Sequence, residues 1–300
     1  MTKNIAASIT QKLLNKRDKD KRPFNEILQY FAMERFLYRL SKSQHVDKFI
    51  LKGALMLRVW ESSQYRPTMD IDMLGKTSNE IEAITQQVKD IIATSVEPDG
   101  ITFDEQSITA ERITEDADYE GIRVSFEGKL ANAVIYMQID IGFGDKVYPA
   151  PSKSTMPTVI ALPPPKILCY SKESAIAEKF EAMVKLGEIN SRMKDFYDIW
   201  LLSRQFDFVG NDITQAIQLT FNQRGTDLPN NLEYFSSDFA TTKQSQWAAF
   251  KNKLKQEFVP SNFIEVIEHN NLFLSPIITS IQLNQSPPLR WNAPNQWLQS

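Results

Sequence analysis

Two carboxylates inside an apolar run constrain this chain more than any other feature. Asp70 and Asp72 lie in the segment MDIDML, residues 69–74. Side chains alternate between the two faces of a β-strand, so both carboxylates would lie on one face. Neighbouring carboxylates repel each other, and a hard cation such as Mg²⁺ or Mn²⁺ between them relieves the repulsion. The pattern predicts a metal site, with a surface strand or a salt-bridged turn as the alternative.

A third carboxylate lies in a second apolar segment. Asp140 stands between two isoleucines in YMQIDIG, residues 136–142. Burial of this carboxylate without a partner would be costly, so a cation or a donor should lie beside it. Three carboxylates could hold one or two Mg²⁺ ions, which suits phosphoryl or nucleotidyl transfer. A paired carboxylate in an ordinary core strand is the alternative for Asp140.

Two further residues in this region are candidates for contact with a nucleotide. Gly53 ends an apolar run and precedes a predicted helix. A glycine permits close backbone approach, and the amides at a helix N-terminus attract phosphate. Arg66 precedes Asp70 by four residues and could contact phosphate or a site carboxylate. Turn geometry alone would also explain Gly53, and a surface role would explain Arg66.

A second informative block is EKFEAMVKLGEINSRMKDFYDIW, residues 178–200. Lys179 lies beside the apolar stripe of a predicted helix. Asp195 and Asp198 are three residues apart on the next predicted helix, so they share a face. Lys179 could neutralise triphosphate charge while Asp198 orients the nucleotide. An ordinary ion pair between two helices is the other interpretation.

Hydrophobic periodicity predicts an α/β (α+β) fold, with a mixed sheet followed by a mainly helical C-terminal half. The predicted strands are 47–52, 69–74, 119–127 and 132–142, the last two joined by a turn at 127–129. The predicted helices are 24–40, 54–62, 78–93 (with Ser78 as N-cap), 171–187 and 192–204. The proline-rich segment 149–165 predicts a boundary between an α/β catalytic domain, residues 1–150, and a helical domain, residues 151–300.

Composition excludes several classes of protein. Cys169 is the single cysteine, which rules out an intramolecular disulfide and a cysteine zinc site, and two histidines make His-based catalysis improbable. No apolar run is long enough for a membrane span, so a cytoplasmic protein is expected. A net charge of −3 argues against non-specific coating of nucleic acid. The basic residues within 12–22 could form a local RNA patch or a solvated helix end, and the aromatic residues of the tail should serve packing.

Residues 45–205 resemble the AbiEii/AbiGii-type nucleotidyltransferase toxins, a group that includes the MenT toxins and has a polymerase-β-like fold. The resemblance lies in the segments KGAL (52–55), RPTMDID (66–72), AEKF (177–180) and SRMKDFYD (191–198). The last two segments are the more specific to this family. Ala54 departs from the usual second glycine, serine or threonine, which removes a hydroxyl that could touch phosphate.

The resemblance implies an enzyme that uses Mg²⁺ (or Mn²⁺) and a nucleoside triphosphate. It implies that Asp70, Asp72 and Asp140 hold metal, that Lys179 binds the triphosphate and that Asp198 completes the nucleotide site. All five are predicted to be catalytic, and Gly53, Arg66 and Asp195 are further candidates for contact with the nucleotide. Family members add nucleotides to the 3′ end of tRNA, block translation, and act in phage defence beside an antitoxin. The same fold could instead modify a small molecule or a protein, or bind a nucleotide or a partner without turnover.

Overall fold

A computed structural model describes residues 2–62, 66–115, 119–229, 232 and 235–298. The chain divides into two compact units. The first comprises Met1–Gly144 and Pro151–Tyr170, and the second comprises Asp145–Ala150 and Ser171–Ser300. The predicted fold class is confirmed, because a mixed sheet precedes a mainly helical second half. Across the described ranges, none of the helices has both the length and the apolarity that crossing a bilayer would require.

A seven-stranded mixed sheet, counted over the described residues, organises the first unit. Its strands are β1 (Phe49–Lys52), β2 (Ile71–Gly75), β3 (Ile101–Glu115), β4 (Tyr119–Leu130), β5 (Ala133–Phe143), β6 (Ser152–Thr155) and β7 (Lys166–Cys169). The spatial order is β3-β4-β5-β2-β1-β7-β6. The β2–β5 and β1–β7 pairs are parallel, and the other neighbours are antiparallel.

The strand predictions locate the centre of the sheet but miss part of its periphery. Strands β1, β2, β4 and β5 occupy the predicted positions, whereas β3, β6 and β7 were not anticipated. The predicted turn at 127–129 is wrong. Strand β4 continues to Leu130, which pairs with Ala133, and Ala131 takes up the turn with a φ of 52°. A longer hairpin results, with a register shifted from the predicted one.

Four helices of the first unit lie within the described residues. They are α1 (Thr2–Asp20), α2 (Phe24–Lys42), α3 (Met56–Val59), which follows a 3₁₀ turn at Gly53–Leu55, and α4 (Ile81–Ile92). Helix α2 packs against the apolar face of the sheet, where the Phe36 ring lies 6.4 Å from that of Phe103 and 5.7 Å from that of Phe126. Helix α4 begins after Glu80 rather than at the predicted cap, Ser78.

The proline-rich segment belongs to the first unit rather than beginning the second. Two adjacent buried residues of α2 hold it there: Glu34 accepts a hydrogen bond from the Val159 amide at 2.5 Å, and Arg35 donates to the Pro163 carbonyl at 2.8 Å. Strands β6 and β7 flank these contacts and complete the sheet. The division of the chain therefore differs from the predicted boundary at residue 150, since Pro151–Tyr170 lies with the sheet.

The second unit is mainly helical, as predicted. It contains α5 (Lys172–Leu186), α6 (Met193–Gln205), α7 (Gly210–Arg224), α8 (Ser237–Leu254) and α9 (Phe263–Gln282), with a small sheet of β8 (Phe208–Val209), β9 (Arg290–Asn292) and β10 (Gln296–Leu298). Ser171 caps α5 by accepting a hydrogen bond from the Ser174 amide at 3.1 Å. Phe263, Phe273 and Trp291 are fully buried, which confirms that these tail aromatics serve packing.

Candidate functional site

The three predicted metal ligands converge in the first unit. Asp70 lies immediately before β2, Asp72 lies within β2, and Asp140 lies on β5. One carboxylate oxygen from each lies within 4.8 Å of the others. Asp72 and Asp140 are direct partners in the parallel pairing of these strands. Oxygen ligands at this spacing, from carboxylates that repel each other, fit a hard divalent cation such as Mg²⁺ or Mn²⁺.

The carboxylates belong to a row of charged residues that crosses four strands. Lys52 on β1 pairs with Asp72 on β2, which pairs with Asp140 on β5, which pairs with Arg123 on β4. Residues directly opposite each other in a sheet project from the same face. The opposite face of β5 carries apolar side chains, including Ile139 and Ile141, which are buried in the core. The sheet therefore has one apolar face and one face on which two adjacent carboxylates are flanked by a lysine and an arginine.

Arg123 is a functional candidate that the sequence prediction missed. Its Nε donates to Asp140 Oδ1 and its Nη2 donates to Asp140 Oδ2, both at 2.8 Å. The hydrogen bonds to Asp140 raise the pKa of Arg123, so the guanidinium remains charged. A carboxylate oxygen has a second lone pair, so this bidentate pair leaves Asp140 able to bind a cation as well. An arginine at an alternate position of an apolar strand was the available signal.

Two polar residues orient the carboxylates further. The Thr68 hydroxyl donates a hydrogen bond to Asp70 Oδ1, and the Thr68 amide donates to the Tyr30 hydroxyl at 3.1 Å. Gln138 lies two residues before Asp140, with its Nε2 at 3.3 and 3.2 Å from the two carboxylate oxygens. Such contacts restrict the rotation of the carboxylates, and a cation bound to Asp140 would take the place of the longer Gln138 contacts.

Gly53 contributes by leaving room for Asp72. A Cβ atom at this position would lie 1.9 Å from Asp72 Oδ2, far inside van der Waals contact. Gly53 also has a φ of +71°, a backbone conformation that residues with a Cβ atom rarely adopt. The glycine is therefore required by both its backbone conformation and the closeness of the carboxylate. Its predicted contact with phosphate stays a prediction, as does that of Arg66, which is partly buried just before Asp70.

The second unit contains a charged cluster between α5 and α6. Lys179 Nζ lies 3.1 Å from Asp195 Oδ1 and 2.8 Å from Asp198 Oδ2. Arg192 Nε lies 2.7 Å from Asp195 Oδ2. Asp195 is fully buried and Asp198 nearly so, while Lys179 keeps some exposure. This geometry includes the interhelical ion pair considered as an alternative, and the nucleotide-binding roles of the three residues stay predictions.

Three of the six basic residues within 12–22 are paired with local carboxylates. Lys16 lies 3.0 Å from Asp20, and Arg17 lies 2.8 Å from Asp18. Arg22 pairs with Glu26. Exposed pairs of this kind contribute little free energy, and they reduce the positive potential that an RNA patch would need. The solvated helix end is the interpretation that these contacts favour.

Comparisons with known proteins identify similar structures and one family. The chain is similar to a candidate nucleotidyltransferase from Helicobacter pylori, with 13% identity, a TM-score of 0.45, and coverage of 84% of this chain and 94% of the other. It is also similar to the Helicobacter pylori protein JHP933, with 12% identity, a TM-score of 0.46, and coverage of 86% and 94%. No curated protein matches.

The family comparison covers most of the chain and includes both charged clusters. Residues 35–269 match the model described as the nucleotidyl transferase AbiEii toxin of type IV toxin–antitoxin systems. This range contains Asp70, Asp72 and Asp140 as well as Lys179 and Asp198. The chain therefore belongs to the AbiEii family of nucleotidyltransferase toxins.

Proposed function

We propose that this protein transfers a nucleotide from a nucleoside triphosphate to an RNA acceptor, the 3′ end of tRNA, and thereby blocks translation. The proposal includes a Mg²⁺ or Mn²⁺ ion held by Asp70, Asp72 and Asp140. The observation that supports it most is the convergence of three carboxylate oxygens within 4.8 Å. Carboxylates this close repel each other, and a bound cation relieves that repulsion.

In this reaction the acceptor hydroxyl gives up its proton to solvent and its oxygen forms a bond to the α-phosphorus. The bond between the α-phosphorus and the oxygen that bridges to the β-phosphate breaks, and pyrophosphate leaves. A bound divalent cation supplies charge stabilisation for the triphosphate and the leaving pyrophosphate. Arg123 fixes Asp140, and Thr68 fixes Asp70, so the carboxylates keep their orientation. We further propose nucleotide contacts for Gly53 and Arg66 in the first unit and for Lys179, Asp195 and Asp198 in the second.

The family also implies an antitoxin as partner and a nucleoside triphosphate as substrate. We propose that a cognate antitoxin counteracts this protein and that the toxin serves phage defence in the cytoplasm. A small molecule or a protein is the alternative acceptor, since the carboxylate cluster by itself does not select the hydroxyl that attacks. A module that binds nucleotide without turnover is the remaining alternative.

Transfer of labelled nucleotide tests the proposal. The purified protein is incubated with Mg²⁺, each α-labelled triphosphate in turn, and total tRNA. We expect label on tRNA from the native protein and none from Asp72→Ala. Asp47→Ala is the matched control, because Asp47 is an exposed carboxylate of the first unit that pairs with Lys153 at 3.1 Å, outside the cluster.

The outcomes separate the acceptor classes. Label on protein or on a small molecule, with none on RNA, would contradict the tRNA acceptor and retain nucleotidyl transfer. Label on no acceptor with any triphosphate would favour the binding module. Equal labelling by the native protein and Asp72→Ala would show that the reaction does not require the carboxylate cluster.

A further inference from the structure

A groove of about 760 Å³ opens in the first unit, beside the carboxylate cluster. Its lining includes Met69, which precedes Asp70, and Val134, Tyr136 and Gln138 on β5. Strand β2 begins at Ile71 and pairs with β5 from Ile139 onward. The earlier residues of β5 therefore lack a pairing strand on that side among the described residues, and the groove occupies this space.

The groove lies at the open edge of β5, with Ile135 and Met137 of the apolar face in its lining, and part of it continues the charged face of the sheet. Along β5, Gln138 and Tyr136 project from the same face as Asp140, because alternate residues share a face. Ser125 on β4 is the cross-strand partner of Gln138, and Glu127 is the partner of Tyr136. Each step of two residues advances about 7 Å along the strand. A ligand that extends from Asp140 toward the start of β5 would contact Gln138 first and Tyr136 next.

A buried side chain holds the two walls of the groove together. Gln29 of α2 donates hydrogen bonds to the Met69 carbonyl at 2.9 Å and to the Tyr136 carbonyl at 3.0 Å. Gln29 itself is buried, so these bonds are protected from competition with water. The groove is therefore formed in advance rather than opened by a ligand.

The chemistry of the lining suits a nucleobase better than a phosphate. Tyr136 is 74% exposed, Met69 is 52% exposed and Val134 is 45% exposed. An aromatic ring of this exposure offers a surface on which a base can stack, and Gln138 and Ser125 offer hydrogen-bonding groups. The described lining residues include no lysine or arginine, and Glu127 adds a carboxylate. A triphosphate would be repelled here, whereas an uncharged base would not.

We propose that this groove binds the 3′-terminal nucleosides of the RNA acceptor, with a base stacked on Tyr136. The inference rests on the proposed RNA acceptor and adds where that acceptor lies. The groove leads away from Asp140 along β5, which suits a polymer whose terminal hydroxyl reacts at the carboxylates. Beyond it, exposed Lys129 is the cross-strand partner of Val134 and supplies a cation for a backbone phosphate.

Direct binding of tRNA to Tyr136→Ala tests this site. Fluorescently labelled tRNA is titrated with protein, without triphosphate, and the Michaelis constants for tRNA and for the triphosphate are measured separately. Loss of one stacked base should raise the dissociation constant for tRNA by about five- to a hundredfold. The Michaelis constant for the triphosphate should not change. Tyr136→Phe should bind as the native protein does, because it keeps the ring.

Leu283→Ala is the matched control for loss of an exposed apolar side chain, since Leu283 is 59% exposed in the second unit. Thermal unfolding of each variant establishes that it is folded. If Tyr136→Ala binds tRNA as tightly as the native protein, the groove does not hold the acceptor. If only the Michaelis constant for the triphosphate rises, the groove binds the incoming base, and the proposal is overturned.

Failure of the underlying function gives a different result. A native protein that labels a protein or a small molecule but no RNA would contradict the RNA acceptor and this site together. A native protein that labels tRNA, beside a Tyr136→Ala variant with unchanged tRNA affinity, would contradict this site alone.

Discussion

The two charged clusters of this protein are built from similar residues and differ in how their charges are balanced. In the first unit, Asp70, Asp72 and Asp140 bring three oxygens within 4.8 Å of one another. In the second unit, Lys179 stands between two carboxylates, at 3.1 and 2.8 Å. The first arrangement brings like charges together, and the second brings opposite charges together.

This difference distinguishes a cluster that a bound cation would stabilise from a cluster whose carboxylates already have cationic partners. Convergent carboxylates are stabilised when a cation binds, so their repulsion in the free protein becomes affinity for metal. A buried ion pair instead depends on both of its partners, and removal of either leaves an uncompensated charge. Substitution in the first cluster should therefore affect mainly activity, and substitution in the second should affect stability in addition to the proposed nucleotide contact.

The largest expected effect is on turnover in Asp72→Asn. Loss of one carboxylate from the cluster should lower the rate of nucleotide transfer by about a thousandfold or more, because charge stabilisation worth several kcal/mol depends on the bound cation. Without metal, the free energy of unfolding should change by less than about 1 kcal/mol, since the substitution also removes like-charge repulsion. Labelled-nucleotide transfer and urea denaturation measure the two quantities.

A metal titration tests whether Asp72 binds the cation, independently of turnover. Mn²⁺ at about a hundred times its dissociation constant should stabilise the native protein by about 2.7 kcal/mol. Asp72→Asn should lose most of this gain. Equal stabilisation of both proteins by Mn²⁺ would show that the metal binds elsewhere.

The second-largest expected effect is a loss of stability in Asp195→Asn. The substitution removes the charge that faces Lys179 and Arg192 inside the second unit. Breaking a buried pair in this way typically costs about 3 kcal/mol or more. Asp227→Asn, an exposed position of the same unit, should change the free energy of unfolding by less than about 0.5 kcal/mol. Urea denaturation compares them.

Activity measured on the folded fraction of Asp195→Asn then decides whether this cluster has only a structural role. A raised Michaelis constant for the triphosphate, beyond what the loss of folded protein explains, would support the proposed nucleotide contact. An unchanged Michaelis constant for the triphosphate would mean that Asp195 contributes to stability alone.

Local patterns were sufficient to predict the parts of the fold that depend on neighbouring residues. The alternation around Asp70 and Asp72 placed β2, and the 3.6-residue periodicity of residues 171–204 placed α5 and α6. Strands of four residues are too short to show such a pattern. Strands β6 and β7 exist because α2 holds the proline-rich segment against the sheet through Glu34 and Arg35, residues distant in sequence.

The site was predicted in part for a related reason. Its carboxylates stand out as charges inside apolar runs, but the partner of Asp140 depends on hairpin register. The observed turn after Leu130 places Arg123 opposite Asp140. The turn expected at 127–129 would have placed a residue several positions earlier there. A misplaced turn of a few residues therefore concealed the arginine, because every cross-strand pair follows from it.

Arg123→Gln has the smallest of these effects and tests whether the first cluster is tuned by its neighbour. Arg123 neutralises part of the negative charge at Asp140 and fixes its carboxylate with two bonds of 2.8 Å. Without it, the cluster is more negative, so Mn²⁺ should bind more tightly, while the less restrained Asp140 should lower turnover by about ten- to a hundredfold. Calorimetric titration of Mn²⁺ and labelled transfer measure these opposite changes.

Arg112→Gln is the control, because Arg112 is an exposed arginine of the adjacent strand β3. Tighter metal binding with slower transfer would mean that Arg123 lowers the affinity for metal but holds Asp140 in the orientation that transfer requires. Unchanged metal affinity would mean that the cation does not experience the arginine charge, and that the three carboxylates alone set the site.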